Sequence, residues 1–312
     1  MLCGLAAALL STATGCGSAL VPDGAAAKER ERVIEAITAT LELPLPREGQ
    51  TAIAVDSLGA LDIPGTQRPV PIASVTKVMT AYVILKDHPL KDGADGPLIT
   101  VDGQAAAEAL SLSESTAPVT EGEQLSQRKL LELMLLPSAN NVARLLARWD
   151  AGSQEKFVAR MNDEAAGLGM KDTTYTGASG IESTTRSTAT DQLKLAREAM
   201  KDPALRTTVA LRSTTLPGRA TPVMNTNTLL DRAGVIGLKT GSSTPAGGNL
   251  VWAAEIVDGA KSRLVYGVVL GQRTGSPPAE GKAAAVESSG RILDALQRKL
   301  PAALAAQGGG RI

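Results

Sequence analysis

Ser74 and Lys77, in the run Ser74-Val75-Thr76-Lys77, pair a nucleophile with a base one helical turn away. Residues three apart at a helix start share a face, so the amine can reach the hydroxyl. Only an uncharged amine can take a proton, and an unperturbed lysine titrates near ~10.4. Burial lowers that value, and so does a second cation nearby. Residues 75–85 are apolar on most faces, which supplies burial, so the chemistry requires one more positive group. Lys239, in Lys239-Thr240-Gly241 at the end of a strand pattern, is that candidate; it would also attract a substrate carboxylate. Gly241 carries no side chain, so an extended peptide could lie against this strand edge. Strict alternation turns Thr240 to the opposite face, where its hydroxyl reaches substrate only if the edge twists. A third group, Ser138-Ala139-Asn140, follows Pro137 between two helical patterns. There a serine can relay a proton, and an asparagine can hold a substrate amide or orient the lysine. Taken singly, a capping serine, an Asx turn and a strand-end lysine explain each motif without chemistry. In combination they supply nucleophile, base and cation.

The rest of the composition removes the competing chemistries. His88 is the one histidine. A Ser-His-Asp triad or a multi-histidine metal site would have to be built on it. Its setting, Lys86-Asp87-His88-Pro89, reads as a solvated loop. Cys3 and Cys16 both lie near the N-terminus, so the body has no disulfide and no cysteine metal site. No metal and no cofactor are expected. Lys plus Arg and Asp plus Glu both number 32, and without a basic excess the chain has no nucleic-acid footprint. Aromatics at 2% leave no stacking platform for bases.

The elements that must position these groups follow from periodicity. Residues 1–16 are uncharged and rich in Leu and Ala, like the apolar part of a secretory signal without its basic start. Ala13-Thr14-Gly15-Cys16 resembles a lipoprotein cleavage site, with Ala13 where Leu is usual. The expectation is an exported, extracytoplasmic protein of the cell envelope, touching membrane only through an N-terminal anchor or a lipid on Cys16. A short buried apolar helix is the alternative. Residues 1–27 are thus signal or anchor plus tether, and 308–312 a flexible tail. Between them, 28–40 read as a helix, 51–56 and 60–63 as a strand pair, and 102–200 as mainly helical. Strand patterns return at 235–241, 249–257 and 262–271, with an Asp258-Gly259 hairpin turn before the last. A final helix over 282–300 stops at Pro301. This pattern predicts an α+β catalytic domain over 28–307: an antiparallel β-sheet flanked by helices, plus a helical subdomain at about 98–200.

The order Ser-x-x-Lys, Ser-x-Asn and Lys-Thr-Gly is the signature shared by β-lactamases and penicillin-binding proteins. From about residue 51 to 271 the chain resembles the low-molecular-mass D-alanyl-D-alanine carboxypeptidases, peptidase family S11. The likeness includes Ala73 to Ala81, Leu135 to Asn141, Asn225-Thr226-Asn227 and Gly237 to Gly241. It implies the β-lactamase/DD-peptidase transpeptidase-like fold. It also implies cleavage of D-Ala-D-Ala at the end of a peptidoglycan stem peptide through an acyl-serine, with β-lactam antibiotics as covalent inhibitors. In that scheme Ser74 attacks, Lys77 takes its proton and Ser138 passes a proton to the leaving D-alanine. The backbone N–H groups of Ser74 and Ser242 form the oxyanion hole, and Lys239 and Thr240 hold the terminal carboxylate. Arg263 matches a family arginine, or is a hairpin surface charge. Asn141 replaces an acidic residue common in the family, and residues 184–189 lack a usual His-aromatic pair. Family members often carry a C-terminal domain and anchor; here attachment is expected only from the N-terminus. A class A β-lactamase shares the motifs but adds a Glu-x-x-Leu-Asn loop, which is missing between Ser138 and Lys239. A DD-endopeptidase would use the same residues, and a non-catalytic wall-binding lipoprotein would need none of them.

Overall fold

The computed structural model describes residues 23–91, 93–258 and 261–307. The apolar stretch with Cys3 and Cys16, residues 17–22 of the expected tether, Gly259 of the hairpin turn and the tail 308–312 lie outside them.

Alternation of period two builds the centre of the molecule. Strands β1 (Gln50–Val55), β2 (Gly59–Ala60), β3 (Val235–Ser243), β4 (Gly247–Asp258) and β5 (Lys261–Gln272) form an antiparallel sheet. Their spatial order is β2-β1-β5-β4-β3. On β4, Leu250, Trp252, Ala254 and Ile256 enter one apolar layer, while Val251 and Ala253 enter the other. Ile53 and Val55 part from Ala52 and Ala54 on β1 in the same way. Both faces are covered, so the strands are apolar nearly throughout.

Helices fill the two layers. α1 (Asp23–Leu41) packs on α9 (Pro278–Ala306), and α9 lies across β4 and β5. Opposite, α2 (Lys77–Asp87) runs between α4 (Gln127–Leu135), α5 (Asn140–Ala151), α6 (Gln154–Gly167) and α7 (Ala189–Ala199). That central position explains why α2 is apolar almost all round. α3 (Gly103–Glu108) packs on α5, and α8 (Pro203–Val209) on α4 and β3. Asp102, Ser126, Ser153, Thr188 and Asp202 each cap a helix by accepting from the backbone N–H three residues on.

Three expectations change. α1 begins at Asp23, so residues 23–27 are helical rather than tether. α7, inside the span read as a helical subdomain, packs on β1, β4 and β5 of the sheet. Pro301 does not end the last helix, which continues to Ala306. A proline inside a helix loses one backbone bond. Here Leu300, Ala303 and Leu304 are all buried in the α1–α9 layer, and that burial offsets the loss. Among the described residues no helix is long and apolar enough to cross a membrane.

Candidate active site

Ser74 sits in a 3-10 turn, Ala73–Thr76, that runs directly into α2. The turn is held in a costly shape: Ala73 has φ 47°, a left-handed conformation that an L side chain resists. Bare backbone clamps it from two sides. A β-carbon on Gly241 would lie 2.7 Å from Ile72 O, 2.8 Å from Val75 N and 3.0 Å from Ser74 N. One on Gly180 would collide with Ala73 O and lie 2.5 Å from Thr76 Oγ1. Gly241 therefore has a second reason to lack a side chain, since the Ser74 turn lies against it, beside the expected use of the strand edge by an extended substrate.

Lys77 opens α2 and is fully buried. Its Nζ lies 2.9 Å from Ser74 Oγ. Two N–H groups of the amine go elsewhere, to Asn140 Oδ1 at 2.5 Å and to Ser179 O at 2.7 Å. Burial holds Lys77 well below the ordinary lysine value, and the field of Lys239 pushes the same way. Lys239 is itself buried on β3, where its Nζ donates to Thr240 O at 3.0 Å. Burial, then the nearby cation Lys282, brings it down to about 7. Lys239 thus adds to the burial that holds Lys77 down.

The remaining expected residues divide. Ser74, Asn140 and Ser242 line one open cleft. Lys239 and Thr240, three and two residues before Ser242 on β3, are not among its lining and are 1% and 3% exposed. The Thr240 hydroxyl is shared with Thr226 Oγ1 at 2.7 Å. Ser138 is also buried and adopts φ 71°. Among the described residues it makes no hydrogen bond to Ser74 or Lys77, so of this motif only Asn140 touches the lysine. Arg263 does not join the site. It pairs with Ile256 near the far end of the β4–β5 hairpin and donates to Ser57 Oγ at 2.9 Å. Gly241 pairs with Asn249, seven residues from Ile256 along β4, which is roughly 23 Å of strand. The surface-charge reading of Arg263 stands.

Other residues near the site carried no sequence motif. Glu114 and Lys282 line the cleft with Ser74. Lys282 reaches it because the first turn of α9 docks on β4 through Gly281 against Gly248, where any β-carbon on Gly248 would meet Gly281 O. Ser179 contributes only a backbone carbonyl, which no side-chain pattern can reveal. His88 is not a solvated loop residue: Nε2 pairs with Asp150 Oδ1 at 2.9 Å and the ring lies on Trp149. It caps the other end of α2, about three turns from Lys77.

Comparison with known proteins follows the same lines. Residues 50–274 match the peptidase S11 family, D-alanyl-D-alanine carboxypeptidase. A D-alanyl-D-alanine endopeptidase of Pseudomonas aeruginosa is 35% identical over 196 residues, 60% of this chain and 60% of that protein. A D-alanyl-D-alanine carboxypeptidase of Streptomyces sp. (strain K15) is 32% identical over 236 residues, 70% of this chain and 78% of that one. The crystal structure of the Streptomyces K15 DD-transpeptidase superposes with a TM-score of 0.69 at 26% identity, covering 81% of this chain and 98% of that one. Fold, motif order and family match therefore agree, and the chain belongs to the D-alanyl-D-alanine carboxypeptidase family, peptidase S11.

Proposed function

We propose that this protein is a serine-type D-Ala-D-Ala carboxypeptidase that trims peptidoglycan stem peptides in the cell envelope through an acyl-enzyme on Ser74. The observation that carries this reading is the disposition of Lys77. A neutral amine has two N–H donors and one lone pair. Asn140 Oδ1 and Ser179 O take the donors, and the lone pair is left for the Ser74 hydroxyl at 2.9 Å. The hydroxyl then donates its proton to Nζ as Oγ attacks the carbonyl. The backbone N–H groups of Ser74 and Ser242 face the developing oxyanion, a contribution of typically ~10²–10³ in rate. Lys77 returns the proton to the leaving D-alanine, with Ser138 as the relay. Lys282 in the cleft lining draws the terminal carboxylate, and Lys239 and Thr240, buried next to Gly241 and Ser242 on β3, add to the pull. Water completes the cycle by hydrolysing the ester.

The test is labelling with a fluorescent penicillin beside release of D-alanine from a peptide ending in D-Ala-D-Ala. Wild type should carry covalent label and release D-alanine, and Ser74→Ala should do neither. Rapid hydrolysis of the penicillin would make the protein a β-lactamase. An unlabelled wild type without D-alanine release would leave only a wall-binding role.

A further inference from the structure

Asn140 has two ends of nearly the same shape, and only one of them suits Lys77. With its oxygen toward the amine, Asn140 consumes an N–H; with its nitrogen there, it would donate into the lone pair that Ser74 needs. The surroundings decide which end faces in. Asn140 Nδ2 donates to Glu114 Oε2 at 2.6 Å. Ionised, Glu114 can only accept, so the amide nitrogen is drawn outward. The carboxylate is itself clamped: Arg144 Nη1 donates to Oε2 at 3.2 Å and Nη2 to Oε1 at 2.8 Å. Arg144 Nε donates in turn to Glu108 Oε2 at 2.8 Å. Asn141 ties the same loop to α5, accepting from Ala117 N and donating to the carbonyls of Ala117 and Ala105. A carboxylate at 141 could not make those last two bonds.

We propose that Glu114, clamped by Arg144, is a positioning residue for acylation: it fixes the Asn140 amide with its oxygen on Lys77, leaving the amine lone pair to Ser74. This rests on the acyl-serine reading above. Arg144 also neutralises a carboxylate that would otherwise sit beside the base. The charged groups facing Lys77 are Lys239 from β3, Arg144 from α5, and Glu114 and Glu182 from two loops. The two cations favour its neutral form, and the two carboxylates its charged form.

The experiment is the rate of acylation by fluorescent penicillin across pH in wild type, Glu114→Gln and Arg144→Met. Glu114→Gln keeps the size but loses the charge and one of the two acceptor oxygens, so it cannot serve Asn140 and both Arg144 nitrogens at once. The alkaline plateau should fall about tenfold, the worth of one charge-assisted hydrogen bond. Its acid limb should move to lower pH, because a negative neighbour of Lys77 is gone. Arg144→Met should slow acylation as well and move the limb to higher pH. Limbs that stay at the wild-type pH, or that move together, would overturn the proposal. So would variants that lose only labelled fraction while the remaining enzyme acylates at the wild-type rate. Should Arg144→Met fail to fold, Glu114→Gln alone decides by plateau and limb. An unlabelled wild type would sink the acyl-serine reading instead, a distinguishable result.

Discussion

Lys239 shows how one buried side chain sets a pH dependence. Its folded value of about 7 comes from burial first and from Lys282 second. Only the protonated form attracts a carboxylate. Productive binding of a peptide carboxylate should therefore be strong below about 7 and weaken as pH rises through it. Replacing Lys282 with Ala removes the repelling cation, lets Lys239 keep its proton longer, and should move that midpoint to higher pH. The check is 1/KM for a D-Ala-D-Ala peptide against pH in both proteins; coincident midpoints would show that Lys282 does not act on Lys239. The same residue carries a linkage consequence. A lysine whose folded value is depressed binds fewer protons folded than unfolded between about 7 and the ordinary 10.5. Stability therefore rises with pH across that window, and Lys77 adds in the same direction.

At the scale of elements, the site is a contact between a strand and a turn. β3 approaches the Ser74 turn so closely that Gly241 has no room for a β-carbon. Gly241→Ala should push the turn aside by a few tenths of an ångström to an ångström while the sheet stays intact. A misplacement of that order costs about 10² in rate. Penicillin acylation should fall by that factor with little change in Tm, and a rate within threefold of wild type would mean the turn yields freely. The contact was half legible beforehand. Lys-Thr-Gly at a strand end and Ser-x-x-Lys at a helix start were readable from type and spacing. That the glycine also makes room for the Ser74 turn was not, since it depends on which backbone crosses the strand.

For the whole molecule, the sheet separates two apolar layers, and the proposed nucleophile and base lie on one of them. Ser74, Lys77 and Asn140 border the α2–α5 side, whereas Ile37 and Leu41 of α1 close the α9 side. Ile37→Ala should cost about 2–5 kcal/mol and lower Tm, yet leave penicillin labelling at 25 °C intact. Loss of labelling in a still-folded variant would show that the outer layer governs the cleft. Loops between helices of that same layer bring in Ser179, Gly180 and Glu114.

The sequence by itself determined the chemistry and the strands. Motifs with fixed spacing carry their own local geometry, so Ser74 with Lys77, and Lys239 on a strand, were set before any folding was considered, although the strand runs on to Ser243 and leaves Lys239 at its middle. Alternating β4 and β5 residues likewise announced a sheet. Only tertiary structure decided which groups surround the lysine. Glu114 and Ser179 reach it from loops 37 and 102 residues away along the chain, and Arg263 leaves the site because the hairpin register carries it to the far end. Long-range register and loop closure have no local signature, so neither could be read from residue type or period.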